Sequence, residues 1–171
     1  MLSLSATFTN QIWRRKNEQR RDQLQHGQRI LHAEANRRHV RHFEYDPATT
    51  PAKAEDLGIK NYDTVDTDGL KSDWTIYKSI WCNPPFTIKH EFLKKAQEYY
   101  DKTGGSVYML VPIGFLTTKR FHAICKGAKI FLPNGRIKYE SGLGKPSHSP
   151  AFGSVVIKLD DHWSIEPLEL A

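Results

Sequence analysis

Between Trp74 and Val111 the chain passes from one apolar run to another through a stretch of helical periodicity. Few architectures accommodate that order. Trp74 to Trp81 reads as a strand that enters Asn83, and Asn83-Pro84-Pro85-Phe86 interrupts it. Thr87 then caps a helix reaching about Tyr100, with Ile88, Phe92, Ala96 and Tyr99 on one face. Gly104-Gly105 ends this helix, Ser106 to Val111 is a compact apolar strand, and Pro112-Ile113-Gly114 breaks it. The rest keeps to the pattern. Upstream, Phe43 to Asp46 reads as a short strand, Thr50 to Leu57 as a helical turn, and residues 58–73 as an irregular acidic segment. Downstream come a helix around Thr118 to Lys126, a strand from Lys129 to Leu132, and a turn at Asn134-Gly135. Arg136 to Tyr139 alternates, residues 140–151 form a Gly/Pro/Ser loop, and Phe152 to Leu159 is a last, β-branched strand. The predicted fold class is α/β, with a mostly parallel sheet closed by a terminal antiparallel hairpin. Ligands of such sheets sit beyond the strand carboxyl ends, where Asp46 and Asn83 both fall.

With 171 residues, 39% of them hydrophobic and 26% charged, the chain has material for one domain with a core. No apolar run approaches the length needed to cross a bilayer, and Met1 to Asn10 lacks the pattern of a secretory signal. Cys82 and Cys125 have no metal spacing and the histidines no zinc pattern, so no metal site and a reducing, cytoplasmic setting are expected. The net charge of +6 is unevenly placed. Residues 1–45 carry nine Lys and Arg against four Asp and Glu, whereas residues 46–171 carry sixteen against fifteen. From Gln11 to His42 there is no proline and one glycine, so residues 1–44 are set apart as a basic, helical segment preceding a domain of residues 45–171. Its clusters, Arg14-Arg15-Lys16, Arg20-Arg21, Arg37-Arg38 and Arg41, suit a helix that contacts phosphates. They equally suit a solvated arm whose arginines pair with Glu18, Asp22 and Glu34.

The tetrapeptide Asn83-Pro84-Pro85-Phe86 carries chemistry of its own. An amino group on an aromatic ring is a poor nucleophile, because its lone pair is delocalised. Two acceptors placed at its two N–H groups draw the nitrogen toward tetrahedral geometry. The Asn83 side-chain oxygen and the Pro84 carbonyl are suited to that task, in a turn that the prolines stiffen and strip of donors. Phe86 offers a face on which a base can stack. A base inside a duplex is out of reach, so a duplex substrate implies flipping. The plainer reading is a strand-ending turn, for which Asn and Pro are common residues.

Asn83 to Phe86 is similar to the (Asp/Asn/Ser)-Pro-Pro-(Tyr/Phe/Trp) element of methyltransferases acting on amino nitrogens, and further segments match one such family in order. Asp46-Pro47-Ala48-Thr49, Asp66-Thr67-Asp68-Gly69-Leu70 with Asp73-Trp74, Val111-Pro112, Gly135-Arg136-Ile137-Lys138-Tyr139 and Pro150-Ala151-Phe152-Gly153-Ser154 all take part. From Tyr45 to Leu159 the chain resembles the phage- and prophage-type DNA N6-adenine methyltransferases, the short single-domain Dam family. The resemblance implies a Rossmann-like methyltransferase sheet, S-adenosylmethionine as cofactor, and DNA, in duplex form with a flipped base, as partner. If the chain is phage-encoded, its setting is the cytoplasm of a bacterial host. The catalytic residues would be Asn83, Pro84, Pro85 and Phe86. Asp46 and Ala48 would lie at the methionine end of the cofactor, and Asp66 or Asp68 at its ribose or adenine. Arg136 and Lys138 would contact DNA, with Lys119, Arg120, Lys145 and His148 in segments able to face the same side, and Arg14, Arg15, Arg20 and Arg21 of the basic segment are the further candidates for phosphate contact. The acids also read as solvated loop residues, and Arg136 and Lys138 as edge-strand charges. The chain departs from the family in lacking a W-x-T-P-P opening and in having no glycine in the loop after Asp46. Cytosine N4, an RNA base, or a non-catalytic nucleic-acid-binding role on the same scaffold are the rival expectations.

Overall fold

A computed structural model describes residues 43–137 and 152–168. Among the described residues seven strands form one sheet: β1 (Tyr45–Asp46), β2 (Asn61–Tyr62), β3 (Ser79–Cys82), β4 (Ser106–Pro112), β5 (Ala128–Pro133), β6 (Ser154–Leu159) and β7 (Ser164–Leu168). Their order is β2-β1-β3-β4-β6-β5-β7. Three helices among these residues connect them: α1 (Pro51–Leu57), α2 (Lys89–Thr103) and α3 (Lys119–Ile124). Single 3-10 turns occur at Trp74–Ile76 and Ile113–Phe115. β2, β1, β3 and β4 run parallel. β6 is antiparallel to both β4 and β5, and β7 is parallel to β5. The sheet is thus mostly parallel with antiparallel pairs, as in a methyltransferase-like α/β fold.

Alternation along the central strands explains how the sheet is buried. Ile80, Cys82, Val107, Met109, Val111, Val155, Ile157 and Leu159 face a core that Phe92, Leu93, Ala96 and Tyr99 of α2 complete. Trp81, Leu110 and Val156 face the other way, into a cluster with Phe43, Ile59 and Ile137. Strands apolar on both faces are what a parallel sheet covered on both sides requires. Helix α2 ends at Gly104 in the left-handed conformation (φ 65°), whose N–H returns to the Tyr100 carbonyl. Cys82 and Cys125 are both free and buried. No helix among the described residues is long and apolar enough to cross a membrane.

Several sequence expectations shift. The strand expected from Trp74 is confined to Ser79–Cys82, because Trp74–Ile76 forms a 3-10 turn capped by Asp73. The Trp74 indole is thereby buried and its N–H donates to the Gly69 carbonyl at 2.8 Å. The 58–73 segment is not wholly irregular, since Asn61–Tyr62 pairs with β1. β5 and β6 pair antiparallel, but Phe152 to Leu159 is not the last strand, since β7 follows it. β6 inserts between β4 and β5, and β7 adds outside β5 in parallel. The β-branched run Val155-Val156-Ile157 is buried on both faces, which a central position satisfies and an edge hairpin does not.

Candidate active site

Asp46 and Asn83 emerge from neighbouring parallel strands at the same edge of the sheet. Tyr45 of β1 pairs with Ile80 of β3, so Asp46 ends β1 beside the last residues of β3. Both side chains are buried, at 0% and 1% exposure.

The turn at Asn83 is stiff for local reasons. Pro84 is buried and Pro85 half-buried, and neither has an N–H. The Pro85 carbonyl accepts from Ile88 N–H at 3.1 Å, and the Phe86 carbonyl accepts from Lys89 Nζ at 2.7 Å. The Thr87 cap expected from sequence is not made. Because the Ile88 N–H turns back to Pro85, Ile88 becomes the N-cap and the helix opens at Lys89 without a side-chain cap. The Phe86 ring packs half-buried against the Trp81 cluster and meets Phe152 edge-on, centroids 5.2 Å apart. Phe152 is held at this edge by the adjoining Gly153 carbonyl, which accepts from Ile113 N–H beyond the end of β4.

The loop at Asp46 is held by long-range contacts instead. Asp46 Oδ1 accepts from Ala48 N–H at 3.0 Å, while Oδ2 is buried and makes no hydrogen bond of ordinary geometry among the described residues, with the Thr49 hydroxyl standing near the carboxylate. Burial pushes the Asp46 carboxyl up to about 7, against the opposing pull of the Ala48 N–H and the Thr49 hydroxyl. The neighbouring Cys82 thiol is pushed well above its usual value, by its own burial first and by Asp46 second. Asp63, just after β2, ties the loop down. Its N–H donates to the Asp46 carbonyl at 2.9 Å, and its carbonyl accepts from Thr49 N–H at 3.0 Å. Its carboxylate accepts from the Tyr45 and Ser72 hydroxyls. Burial raises the Asp63 carboxyl, but the Ser72, Tyr45 and Thr67 hydroxyls and the Lys95 charge outweigh it, so the group stays below the ordinary range. Above these residues Gly69 presses on Pro47 so closely that a Cβ there would lie 2.1 Å from the Pro47 oxygen.

The remaining sequence candidates divide by position. Ala48 lies half-buried in the Asp46 loop and packs on the main core. Asp68 adopts a positive φ of 61°, which Asp tolerates better than most, accepts from Leu70 N–H, and pairs with Lys71 at 3.0 Å. Asp66 is exposed on the same segment. Lys119 and Arg120 open α3 and are exposed, and Arg120 reaches His90 on the first turn of α2 at 3.2 Å. A basic group thus stands beside the Asn83 turn. Arg136 is exposed after β5, three places along the sheet from β3. Arg14, Arg15, Arg20, Arg21, Lys138, Lys145 and His148 lie outside the described residues. No cluster of three or more metal-ligating side chains occurs among the described residues. Sequence reasoning passed over Asp63, Lys89, Lys95 and Phe152. Only for Phe152, within the matched Pro150–Ser154 loop, was there a signal.

A mostly parallel sheet with polar groups buried at the carboxyl ends of two adjacent strands, one of them in a proline-stiffened Asn-Pro-Pro-Phe turn, fits a methyltransferase-like α/β fold. The family model for DNA N-6-adenine-methyltransferase (Dam) matches residues 14–168, and the chain belongs to that family. It is an adenine-specific DNA methyltransferase, and its family works with a methyl donor of the S-adenosylmethionine type. The match reaches well into the basic N-terminal segment, beyond the Tyr45–Leu159 resemblance read from the motifs. No curated protein matches the chain.

Proposed function

We propose that the donor's ammonium is held at Asp46 and the flipped adenine at the Asn83 turn, so that methyl transfer takes place across the carboxyl edge of β1 and β3. The observation that carries this reading is Asp46 Oδ2, a buried carboxylate oxygen without a hydrogen bond of ordinary geometry among the described residues. A buried acid left so is costly unless a charged donor completes it, and the ammonium of S-adenosylmethionine fits that need. Ala48 lines the same loop, and Asp66 or Asp68, on the segment that carries Gly69, would accept from the donor's ribose hydroxyls or adenine amine. When bound, the donor supplies a methyl group on a cationic sulfur that an amine can displace in line. The chain's own part is positioning. The Asn83 oxygen and the Pro84 carbonyl accept the two N–H groups of N6 and present its lone pair. Phe86 stacks on the base, and Phe152 bounds the pocket behind it. Asn83 is buried, so the amine meets fixed dipoles in place of bulk water. The methylated amine releases its proton to water. Methyl transfer to a panel of short duplexes, with base analysis of the product, tests this together with calorimetric titration of the donor. N6-methyladenine is expected, and N4-methylcytosine as sole product would sink the adenine assignment.

DNA is gripped, on this reading, by residues 1–44 as a basic segment attached to the domain of residues 45–171, with Lys119 and Arg120 at the start of α3, Arg136 after β5, and the charge of Lys145 contributing. Arg14, Arg15, Arg20 and Arg21 replaced by Gln should make the slope of log affinity against log salt shallower, by about 0.9 for each phosphate that is no longer neutralised. Base preference should hardly change, because arginines on phosphates position the protein without reading sequence. An unchanged slope would remove these arginines from the DNA track.

A further inference from the structure

We propose that helix α2 sets the two halves of the site against each other through two positioning lysines, Lys89 holding the Asn83–Phe86 turn and Lys95 holding the 63–73 segment over the Asp46 loop. This rests on the reading above, in which the turn takes the base and the loop takes the donor. Lys89 Nζ donates to the Phe86 carbonyl at 2.7 Å and lies 4.9 Å from the Phe115 ring centroid. Lys95 Nζ donates to the carbonyls of Leu70 and Ser72 at 2.5 and 2.6 Å, and lies 5.6 Å from the Trp74 ring. Surface lysines on helices usually reach for carboxylates in water. These two reach for main-chain carbonyls in segments with little regular structure, and an aromatic ring shelters each ammonium. Burial keeps both amines below the usual lysine value.

The geometry of α2 makes one helix serve both sides. Six residues separate the lysines, about 9 Å along the axis and roughly 240° around it, so their amines point to different neighbours. The helix is itself fixed to the sheet by Phe92, Leu93, Ala96 and Tyr99, none more than 4% exposed. Lys95 also acts on Asp63, the residue that ties the Asp46 loop to β2, by adding its charge to the hydroxyls that keep this carboxylate ionised. A shift of the 63–73 segment would move Gly69 off Pro47 and so disturb the donor side. A shift of the Phe86 carbonyl would turn the aromatic ring and the acceptors of the base side.

The test uses the full chain, with Lys89→Met and Lys95→Met, which keep the aliphatic stems and remove the donors. S-adenosylmethionine affinity is read by calorimetry without DNA, kcat and KM on a methylatable duplex, and Tm by thermal melt. Lys95→Met should weaken S-adenosylmethionine binding about tenfold, and Lys89→Met should leave it within about twofold while lowering kcat about tenfold. Lys89→Gln and Lys95→Arg, which retain an N–H donor, should recover part of each loss. If both Met variants lower both parameters in proportion to Tm, or neither moves either, the lysines are merely structural or solvated and the proposal falls. Should either Met variant fail to fold, the Gln and Arg variants decide by the same split. Asp46→Asn serves as the separate control: donor affinity unchanged by it would overturn the reading of the donor side, whatever the lysines do.

Discussion

The turn at Asn83 and the loop at Asp46 do the same job by opposite means. Each places a buried polar group at the carboxyl end of a parallel strand. The turn does so with covalent restraint, two prolines that fix φ and remove N–H groups within four consecutive residues. The loop relies on residues far away in sequence: Asp63 bonded to Tyr45 and Ser72, Gly69 against Pro47, and Lys95 on the Leu70 and Ser72 carbonyls. The difference teaches where each half is vulnerable. The turn should fail by loss of its functional atoms or of its one nearby support, Lys89 on the Phe86 carbonyl, whereas the loop should fail through any of its distant supports.

The largest effect should come from the turn itself. Asn83→Ala removes its only side-chain acceptor, and turnover should fall on the order of 10²-fold, as expected for an N–H left without its partner. Tm and donor affinity should stay near those of the parent, because the prolines still hold the backbone. Near-normal kcat in that variant would refute the role of Asn83.

Asp46→Asn probes the other half. Losing the charge should weaken donor binding about 10- to 100-fold. Its acidity gives a second signature. The folded carboxyl is raised to about 7, so its contribution to stability is fully present below the ordinary carboxylate pKa and is lost as pH rises through about 7. At pH 8 Asp46→Asn should therefore melt higher than the parent, and the difference should shrink by pH 5. In the parent, donor affinity should climb with pH up to about 7 and then level, since only the carboxylate pairs with an ammonium. A flat profile from pH 5 to 8 would dissociate Asp46 from the donor.

Gly69→Ala sharpens the contrast, because it lies outside both strands. Its Cβ would meet the Pro47 oxygen at 2.1 Å, so the loop must move, at about 1–3 kcal/mol and with weaker donor binding. Gly114→Ala is the matched control, where a Cβ meets nothing within 4 Å. Equal melting curves for the two variants would show that the loop yields without cost.

Tyr45→Phe should have the smallest effect, about 1 kcal/mol, by withdrawing one of the hydroxyls bonded to Asp63. The Asp63 carboxyl is lowered in the fold, so the stability it adds is present above the ordinary carboxylate pKa and fades as pH falls through its lowered value. The Phe variant should lose part of that contribution, and the two proteins should converge in acid. A constant offset at every pH would mean that the hydroxyl matters only for packing.

Local sequence determined the parts whose physics is local. The Asn-Pro-Pro-Phe turn, the amphipathic face of α2 through Phe92, Ala96 and Tyr99, its glycine stop at Gly104, and the placing of Asp46 and Asn83 at strand ends all follow from residues within one or two turns of each other. Tertiary structure decided what short-range patterns cannot encode. A two-residue strand such as Asn61–Tyr62 has no periodicity to detect and exists only because β1 lies beside it. The insertion of β6 between β4 and β5 depends on which partner buries both faces of Val155–Ile157, not on the run itself. The glycine missing after Asp46 is the clearest case. The close contact on that loop comes from Gly69, 23 residues further along the chain, and only folding brings it against Pro47.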